Sequence, residues 1–159
     1  SCSRYGNVIG SSGSIIPLFK KQKEKGEICI TDERMTRFWI TINEAAQFVL
    51  DRLIDMKGGE IFIPKMKSFR IIDLLNIMSN YKLGQLGGCI RTGIRAGEKI
   101  HETIISEDEY MGARLHENFY CIGDNDNIGI PITGALTSAN FIMNLDDLSE
   151  KLRSVGVIK

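Results

Sequence analysis

The stretch Thr31-Asp32-Glu33-Arg34-Met35-Thr36-Arg37-Phe38-Trp39-Ile40-Thr41 sets two carboxylates and two guanidinium groups beside the only tryptophan of the chain. Arg34 and Arg37 are three apart, so on a helical turn they would share a face. Two arginine forks on one face suit a phosphate or a carboxylate, because guanidinium meets such oxygens with two parallel hydrogen bonds. Phe38-Trp39-Ile40 then turns apolar, as a short buried strand would. The same residues also make a plain surface salt-bridge loop that runs into a core strand, and at this point both readings stand. A second stretch, Gly10-Ser11-Ser12-Gly13-Ser14, offers backbone N–H groups and hydroxyls that suit an anion, or an ordinary turn.

The chain around these residues is 159 long, enough for one ordinary core. Its 43% hydrophobic and 25% charged content is that of a globular protein. Lys+Arg and Asp+Glu balance at 20 each, which argues against a bulk polyanion such as nucleic acid as partner. No apolar run approaches the roughly 20 residues that span a bilayer, so no membrane segment is expected. Ser1-Cys2-Ser3-Arg4-Tyr5-Gly6 has no charged-then-apolar signal pattern, and the missing initiator Met points to a chain that begins inside something larger. Cys2, Cys29, Cys89 and Cys121 are far apart, and His101 and His116 stand at no metal-ligand spacing to them. Free thiols in a reducing cytoplasm, and no metal, are the expectation.

The elements that must position the charged stretches follow from periodicity and punctuation. Val8-Ile9 ends a strand. Ile15 to Lys25 reads as a helix with Ser14 as cap, Pro17 in its first turn and Gly26 at its end. Ile28-Cys29-Ile30 is a strand. Asn43 is expected to cap a helix over Glu44 to Met56, with Ala46, Val49, Leu50 and Leu53 on its inner face and Gly58-Gly59 stopping it. Glu60 to Pro64 is a strand that Pro64 ends or places at an edge. Ser68 is expected to cap a helix near Arg70 to Ser79, with Ile71, Leu74, Leu75 and Met78 inward. Gly88 to Arg91 is a strand, Glu98 to Ile105 a helix, and 106 to 137 irregular with one strand at Phe119 to Ile122. Asn144 caps a last helix, Leu145 to Val155, followed by Gly156. Alternating strands and helices imply an α/β arrangement. The sequence contains no G-x-G-x-x-G turn and no Tyr-x-x-x-Lys.

Three stretches together carry a family resemblance: Arg4-Tyr5-Gly6-Asn7-Val8-Ile9-Gly10-Ser11-Ser12-Gly13-Ser14, Thr31 to Ile40, and Gly93-Ile94-Arg95-Ala96-Gly97-Glu98-Lys99-Ile100-His101-Glu102. Gly58-Gly59-Glu60-Ile61-Phe62-Ile63-Pro64-Lys65 falls between the last two in register. The chain resembles the C-terminal half of a UDP-N-acetylglucosamine 4,6-dehydratase of the CapD-like polysaccharide-biosynthesis group, within the extended short-chain dehydrogenase/reductases. The resemblance is close over residues 4 to 105 and loose beyond. It implies an α/β fold: the C-terminal substrate-binding portion of a Rossmann-like protein, without the first Rossmann strands. Residues 1–105 would be the UDP-sugar-binding portion and 106–159 a loop-rich extension ending in the helix over 145–155.

By that resemblance such enzymes use NADP, oxidise the sugar at C4, eliminate water across C5 and C6, and yield a cytoplasmic 4-keto-6-deoxy sugar nucleotide for surface glycans. The tyrosine, lysine and acid/base pair of the chemistry lie upstream of Arg4 in the family. The chain is therefore expected to bind UDP-N-acetylglucosamine or a related UDP-sugar, to be inactive alone, and to form a homo-oligomer at full length. Asn7 matches the residue whose amide meets the diphosphate. Ser14, Ile15 and Ile16 match the region lining the uracil. Arg37 matches a phosphate-binding Arg, with Arg34 and Thr36 as near neighbours. Arg95 and Glu98 match the pair that grips diphosphate and ribose. No cofactor-binding, metal-binding or catalytic residue is assigned. Ala96 stands where family members often have Pro, and Ser12 where they often have Arg. The alternatives are an epimerase or other dehydratase of the same fold, and a truncated remnant serving only as an interaction module.

Overall fold

A computed structural model of the chain describes residues 1–11, 13–25, 28–79, 89–123, 126 and 128–159. The chain opens with β1 (Cys2–Ser3), β2 (Asn7–Val8) and the helix α1 (Ile15–Glu24). β3 (Ile28–Ile30) and β4 (Thr36–Ile40) follow, then α2 (Ile42–Arg52), β5 (Ile61–Pro64), β6 (Lys67–Arg70) and α3 (Ile71–Ser79). The remainder adds β7 (Cys89–Arg91), β8 (Thr103–Ile105), β9 (Ala113–Leu115), β10 (Phe119–Ile122), β11 (Ile130–Pro131), β12 (Leu136–Thr137) and α4 (Leu145–Ser154). The fold is mixed α/β, as the sequence implies, with parallel pairs β1–β5, β2–β4 and β3–β7.

Strand β4 divides the interior. It lies between β2, parallel, and β6, antiparallel. Period-2 alternation sends successive residues to opposite faces. Trp39 joins a core made with α1, β3, α3 and α4, and packs 4.7 Å from the Phe69 ring. Phe38 and Ile40 join a second core with Ala45, Ile63 and Ile105. The second core lies on a five-stranded sheet of order β1-β5-β10-β9-β11, antiparallel from β5 onward. That sheet takes strands from both sides of residue 105. Gly6 is fixed by the approach of β2 to β4: a Cβ there would sit 2.4 Å from the Phe38 Cβ.

Several local expectations are corrected. α2 is capped by Thr41, not Asn43: Glu44 N donates to Thr41 Oγ1 at 3.1 Å and Thr41 N donates to Glu44 Oε2 at 2.7 Å. This two-way cap satisfies two orphan N–H groups, which a lone Asn would not. The inward residue of α2 is Ala45, whereas Leu50 is 59% and Leu53 55% exposed. Periodicity finds an apolar stripe but not what covers it. Ser68 is a buried residue of β6 and not a helix cap, because pairing with β4 overrides the weak local preference of Lys67-Ser68-Phe69-Arg70. Residues 98–105 form a turn and β8 rather than a helix: Gly97 has φ +82° and Ile105 pairs with Leu136. The segment 106–137 holds β9, β11 and β12 besides the expected β10. Pro64 ends β5, but β5 lies between β1 and β10, so it is no edge. Ser14 occupies the cap position of α1 without a side-chain cap bond, and the stop residue Gly26, like Gly88, lies outside the described residues. No helix among the described residues is long and apolar enough to cross a membrane.

One ion pair ties the first strand to the later segment. Arg4 donates to both Glu109 oxygens at 2.8 Å and to Ile104 O at 2.9 Å, and Ser106 N donates to Glu109 Oε2 at 3.0 Å. The Arg4 hydrogen bonds lead in holding the Glu109 carboxyl at about 2. A depressed carboxyl stabilises the fold above its unfolded range, near 4.3, and that contribution fades as pH falls toward about 2. Glu109→Gln should cost about 1 kcal/mol at neutral pH, the pair being about one-third exposed. Urea midpoints taken from pH 7 to pH 2 should show that difference shrinking below about pH 4.5. A gap independent of pH would mean that the pair contributes no charge-dependent stability.

Candidate functional site

A cavity of about 450 Å³ opens beside α1. Ile15, Leu18, Phe19 and Gln22, spaced i, i+3, i+4 and i+7, put one helix face along it. Its floor is Met35, Trp39, Phe69 and Ile71 of the first core, with Ile16 beside them. Asn7, Gly10, Ser11, Gly13 and Ser14 bound one end, where Gly10 and Gly13 take φ +73° and +78°. Only glycine adopts that conformation without strain. The Ser14 hydroxyl oxygen is buried there without a hydrogen-bond partner. Arg37, Arg95 and Glu98 supply charge.

The 93–98 segment is shaped by two left-handed glycines, Gly93 at φ +77° and Gly97 at φ +82°. Glu98 N donates to Arg95 O at 3.0 Å, and Gly97 as third residue gives this turn its type II form. The Glu98 carboxylate accepts from Arg95 N at 3.2 Å, so the turn is closed from both directions. The Arg95 side chain is exposed and has no carboxylate at ion-pair distance among the described residues. Arg37 is different. Its Nη1 donates to Thr36 O at 2.8 Å and Ile100 O at 3.2 Å, and its Nε lies 3.3 Å from Glu102. Its Nη2 is 4.0 Å from Glu98. Arg37 is a fixed positive post, while Arg95 keeps its fork free.

Of the nine residues expected to bind substrate, the cavity gathers Asn7, Ser14, Ile15, Ile16, Arg37, Arg95 and Glu98. Arg34 and Thr36 do not line it. Arg34 lies in a turn, not on a helical face with Arg37, and forms a two-point pair with Asp32 at 3.0 and 2.7 Å. That pair draws the Asp32 carboxyl down to about 2. Thr36 is 1% exposed. Its hydroxyl meets Ser138 Oγ at 2.6 Å and His101 Nδ1 at 2.8 Å. Ser138 Oγ also accepts from Glu102 N at 2.8 Å, and Ser138 O accepts from Ser68 Oγ at 2.5 Å. This buried group of hydroxyls holds residues 100–102 against β4, together with Thr36 N donating to Ile100 O at 3.0 Å.

Sequence reasoning missed three residues that matter here. Gln22 was legible from its helical spacing to Ile15, Leu18 and Phe19. Glu102 was legible as a charge near Arg95 and Glu98. Ser138 carries no signal, since a serine in a Ser/Thr/Gly-rich segment is indistinguishable from a turn residue.

The model of the family described as "Polysaccharide biosynthesis protein" matches residues 1–124. The chain belongs to this polysaccharide biosynthesis family. Over 133 residues it is 45% identical to the inverting UDP-N-acetylglucosamine 4,6-dehydratase of Campylobacter jejuni subsp. jejuni serotype O:2, a match covering 79% of this chain and 38% of that protein. It is 40% identical over 121 residues to the capsular polysaccharide biosynthesis protein CapD of Staphylococcus aureus, covering 74% of this chain and 20% of that one. Among solved structures, Pen from Bacillus thuringiensis superposes with a TM-score of 0.85 at 30% identity, covering 98% of this chain and 50% of that chain. The chain thus spans well under half the length of these curated family relatives and half of that structure.

Two substitutions test the scaffold of the site. Ser138→Ala leaves Glu102 N–H without its acceptor and should lower unfolding free energy by about 1–3 kcal/mol, read from urea midpoints. Ala96 is the second residue of the type II turn, where proline's fixed φ is favoured. Ala96→Pro should therefore raise stability by about 0.4–1 kcal/mol; a loss would show that the turn differs in solution.

Proposed function

We propose that this chain is the UDP-sugar-binding portion of a UDP-N-acetylglucosamine 4,6-dehydratase that serves surface-glycan synthesis. The observation that carries the reading is one cavity with an apolar wall at α1 and a charged turn at Arg95–Glu98. A nucleoside diphosphate has the same division, an aromatic base at one end and two phosphates at the other. In this reading Arg95 grips the diphosphate with its free fork, Asn7 adds an amide, and Arg37 supplies fixed positive charge. The Glu98 carboxylate accepts from a ribose hydroxyl while keeping its bond to Arg95 N. Ser14, Ile15 and Ile16 lie against the base. Arg34 and Thr36 act on the site only through the scaffold. Residues 1–105 carry the binding groups, and 106–159 brace them through β9 to β12 and Ser138.

The 159 residues hold neither a G-x-G-x-x-G turn nor a Tyr-x-x-x-Lys. They do not by themselves fit an NADP site. The residues described here bind and orient the nucleotide sugar, and we place hydride transfer and elimination on parts of the longer protein, in the cytoplasm and in a homo-oligomer. An epimerase outcome is the second reading. It is supported by 33% identity over 121 residues to a UDP-glucose 4-epimerase of Rickettsia canadensis, which covers 35% of that protein.

Calorimetric titration with UDP-N-acetylglucosamine tests the cradle. Arg95→Ala and Glu98→Ala should each weaken binding by about 1–3 kcal/mol, while Arg34→Ala should leave it unchanged. Equal affinity in all four proteins would overturn the assignment. Incubation of these 159 residues with NADP and the sugar nucleotide should give no 4-keto product.

A further inference from the structure

We propose that Glu33 is a positioning residue: by holding Arg91 it fixes the strap that presents Arg95 to the cavity. The inference rests on the UDP-sugar reading and gives a role to the one charge of the Thr31–Thr41 stretch still without one. Asp32 spends both carboxylate oxygens on Arg34, and Arg37 is held by backbone carbonyls and Glu102. Glu33 reaches across to β7, where Arg91 Nη2 donates to its Oε1. Neither Glu33 nor Arg91 lines the cavity, whereas Thr92, Arg95 and Glu98 beyond them do.

Residues 92–99 form a strap held at its two ends by one segment, 30–36. At the first end Thr92 N donates to Ile30 O at 3.0 Å, and at the second Thr36 N donates to Ile100 O at 3.0 Å. Between them residues 93–97 are exposed, and among the described residues their only hydrogen bonds are the two that close the Arg95–Glu98 turn. Arg95 therefore stands where the two ends put it. The ends are unequal. At the second, Thr36 is buried, and its hydroxyl meets that of Ser138. The first relies on β3 and β7, three residues each, in a parallel two-stranded sheet of their own. Two strands alone are marginally stable, and parallel pairing is the weaker kind. The Glu33–Arg91 pair closes that end, four residues before Arg95. Without it the strap would sample more positions, and gripping a diphosphate would cost more ordering.

The sign of the effect separates this role from simple electrostatics. Removing a carboxylate near the site makes the field more positive, which alone would tighten the hold on an anion. A loosened strap weakens that hold. Calorimetric titration of the whole 159-residue chain with UDP reads the difference, on the wild type, Glu33→Gln, Arg95→Ala and the double variant. Glu33→Gln should bind UDP about two- to fivefold more weakly, the range of an exposed ion pair. In the Arg95→Ala background the same change should cause no loss, because the fork it positions is gone. A general loss of stability would weaken binding alike in both backgrounds. Amide exchange followed by NMR should quicken at Thr92 in Glu33→Gln, and this measurement stands even where Arg95→Ala binds too weakly to titrate. UDP affinity unchanged or raised in Glu33→Gln, an equal loss in both backgrounds, or unchanged exchange at Thr92 overturns the proposal and leaves the UDP-sugar reading intact. Failure of the wild type to bind UDP overturns that reading itself, and this proposal with it.

Discussion

The Ser138 hydroxyl is shared by three parts of the chain, and the geometry of the cavity depends on that sharing. It accepts from Glu102 N, meets the Thr36 hydroxyl and donates to Thr36 O at 3.1 Å. The neighbouring Ser138 carbonyl takes the Ser68 hydroxyl. Thr36, Ser68 and Ser138 are buried, so an unmade bond of theirs would carry a desolvation cost of about 1–3 kcal/mol. The result is that β4, β6 and residues 100–102 have one relative position. Arg37 projects from β4, and the Arg95–Glu98 turn leads into residue 100. Their separation is thus set by a contact on the side of β4 away from the cavity, made by a residue more than a hundred positions downstream of Thr36.

Much of this was readable in the residues, and the failures share a cause. α1, β3, β4, β5 and α4 announce themselves by periodicity, capping residues or apolar runs, and they stand where the sequence puts them within a residue or two. The charged turn is visible as a motif, but the residues that follow it read as a helix, because Glu98 to Ile105 contains good helix formers. Gly97 at φ +82° and the pairing of Ile105 with Leu136 decide otherwise. β6 was hidden for the same reason: four residues with one apolar member become a strand only because β4 lies beside them. The α2 stripe was found correctly and faced wrongly, since a pattern says nothing about what covers it. At the site, the family resemblance names seven of the residues that line the cavity, while Arg34 and Thr36 lie outside it, and the neighbours of Thr36 come from the far end of the chain.

The two arginines of the opening stretch illustrate how environment separates identical chemistry. Arg34 lies in a turn and spends its fork on Asp32, two residues away. Arg37 lies on a strand and spends its own on backbone carbonyls of two segments. Neither has the open fork that sequence alone attributed to both. Arg95 keeps one because it sits on an exposed turn whose internal bonds use only backbone groups and the Glu98 carboxylate.

The charge arrangement also sets how a ligand would arrive. Arg37 stands between Glu98 and Glu102, and the chain as a whole carries a formal charge of +0. The field around Arg37 is therefore that of compensated charges, and the unpaired charge of Arg95 is screened beyond a Debye length of about 8 Å at physiological salt. With no net charge on the chain, an anion farther away than that feels little pull, and Arg95 acts at short range. Discrimination among ligands then resides in how long each one stays, governed by short-range fit along α1, rather than in how fast each is captured.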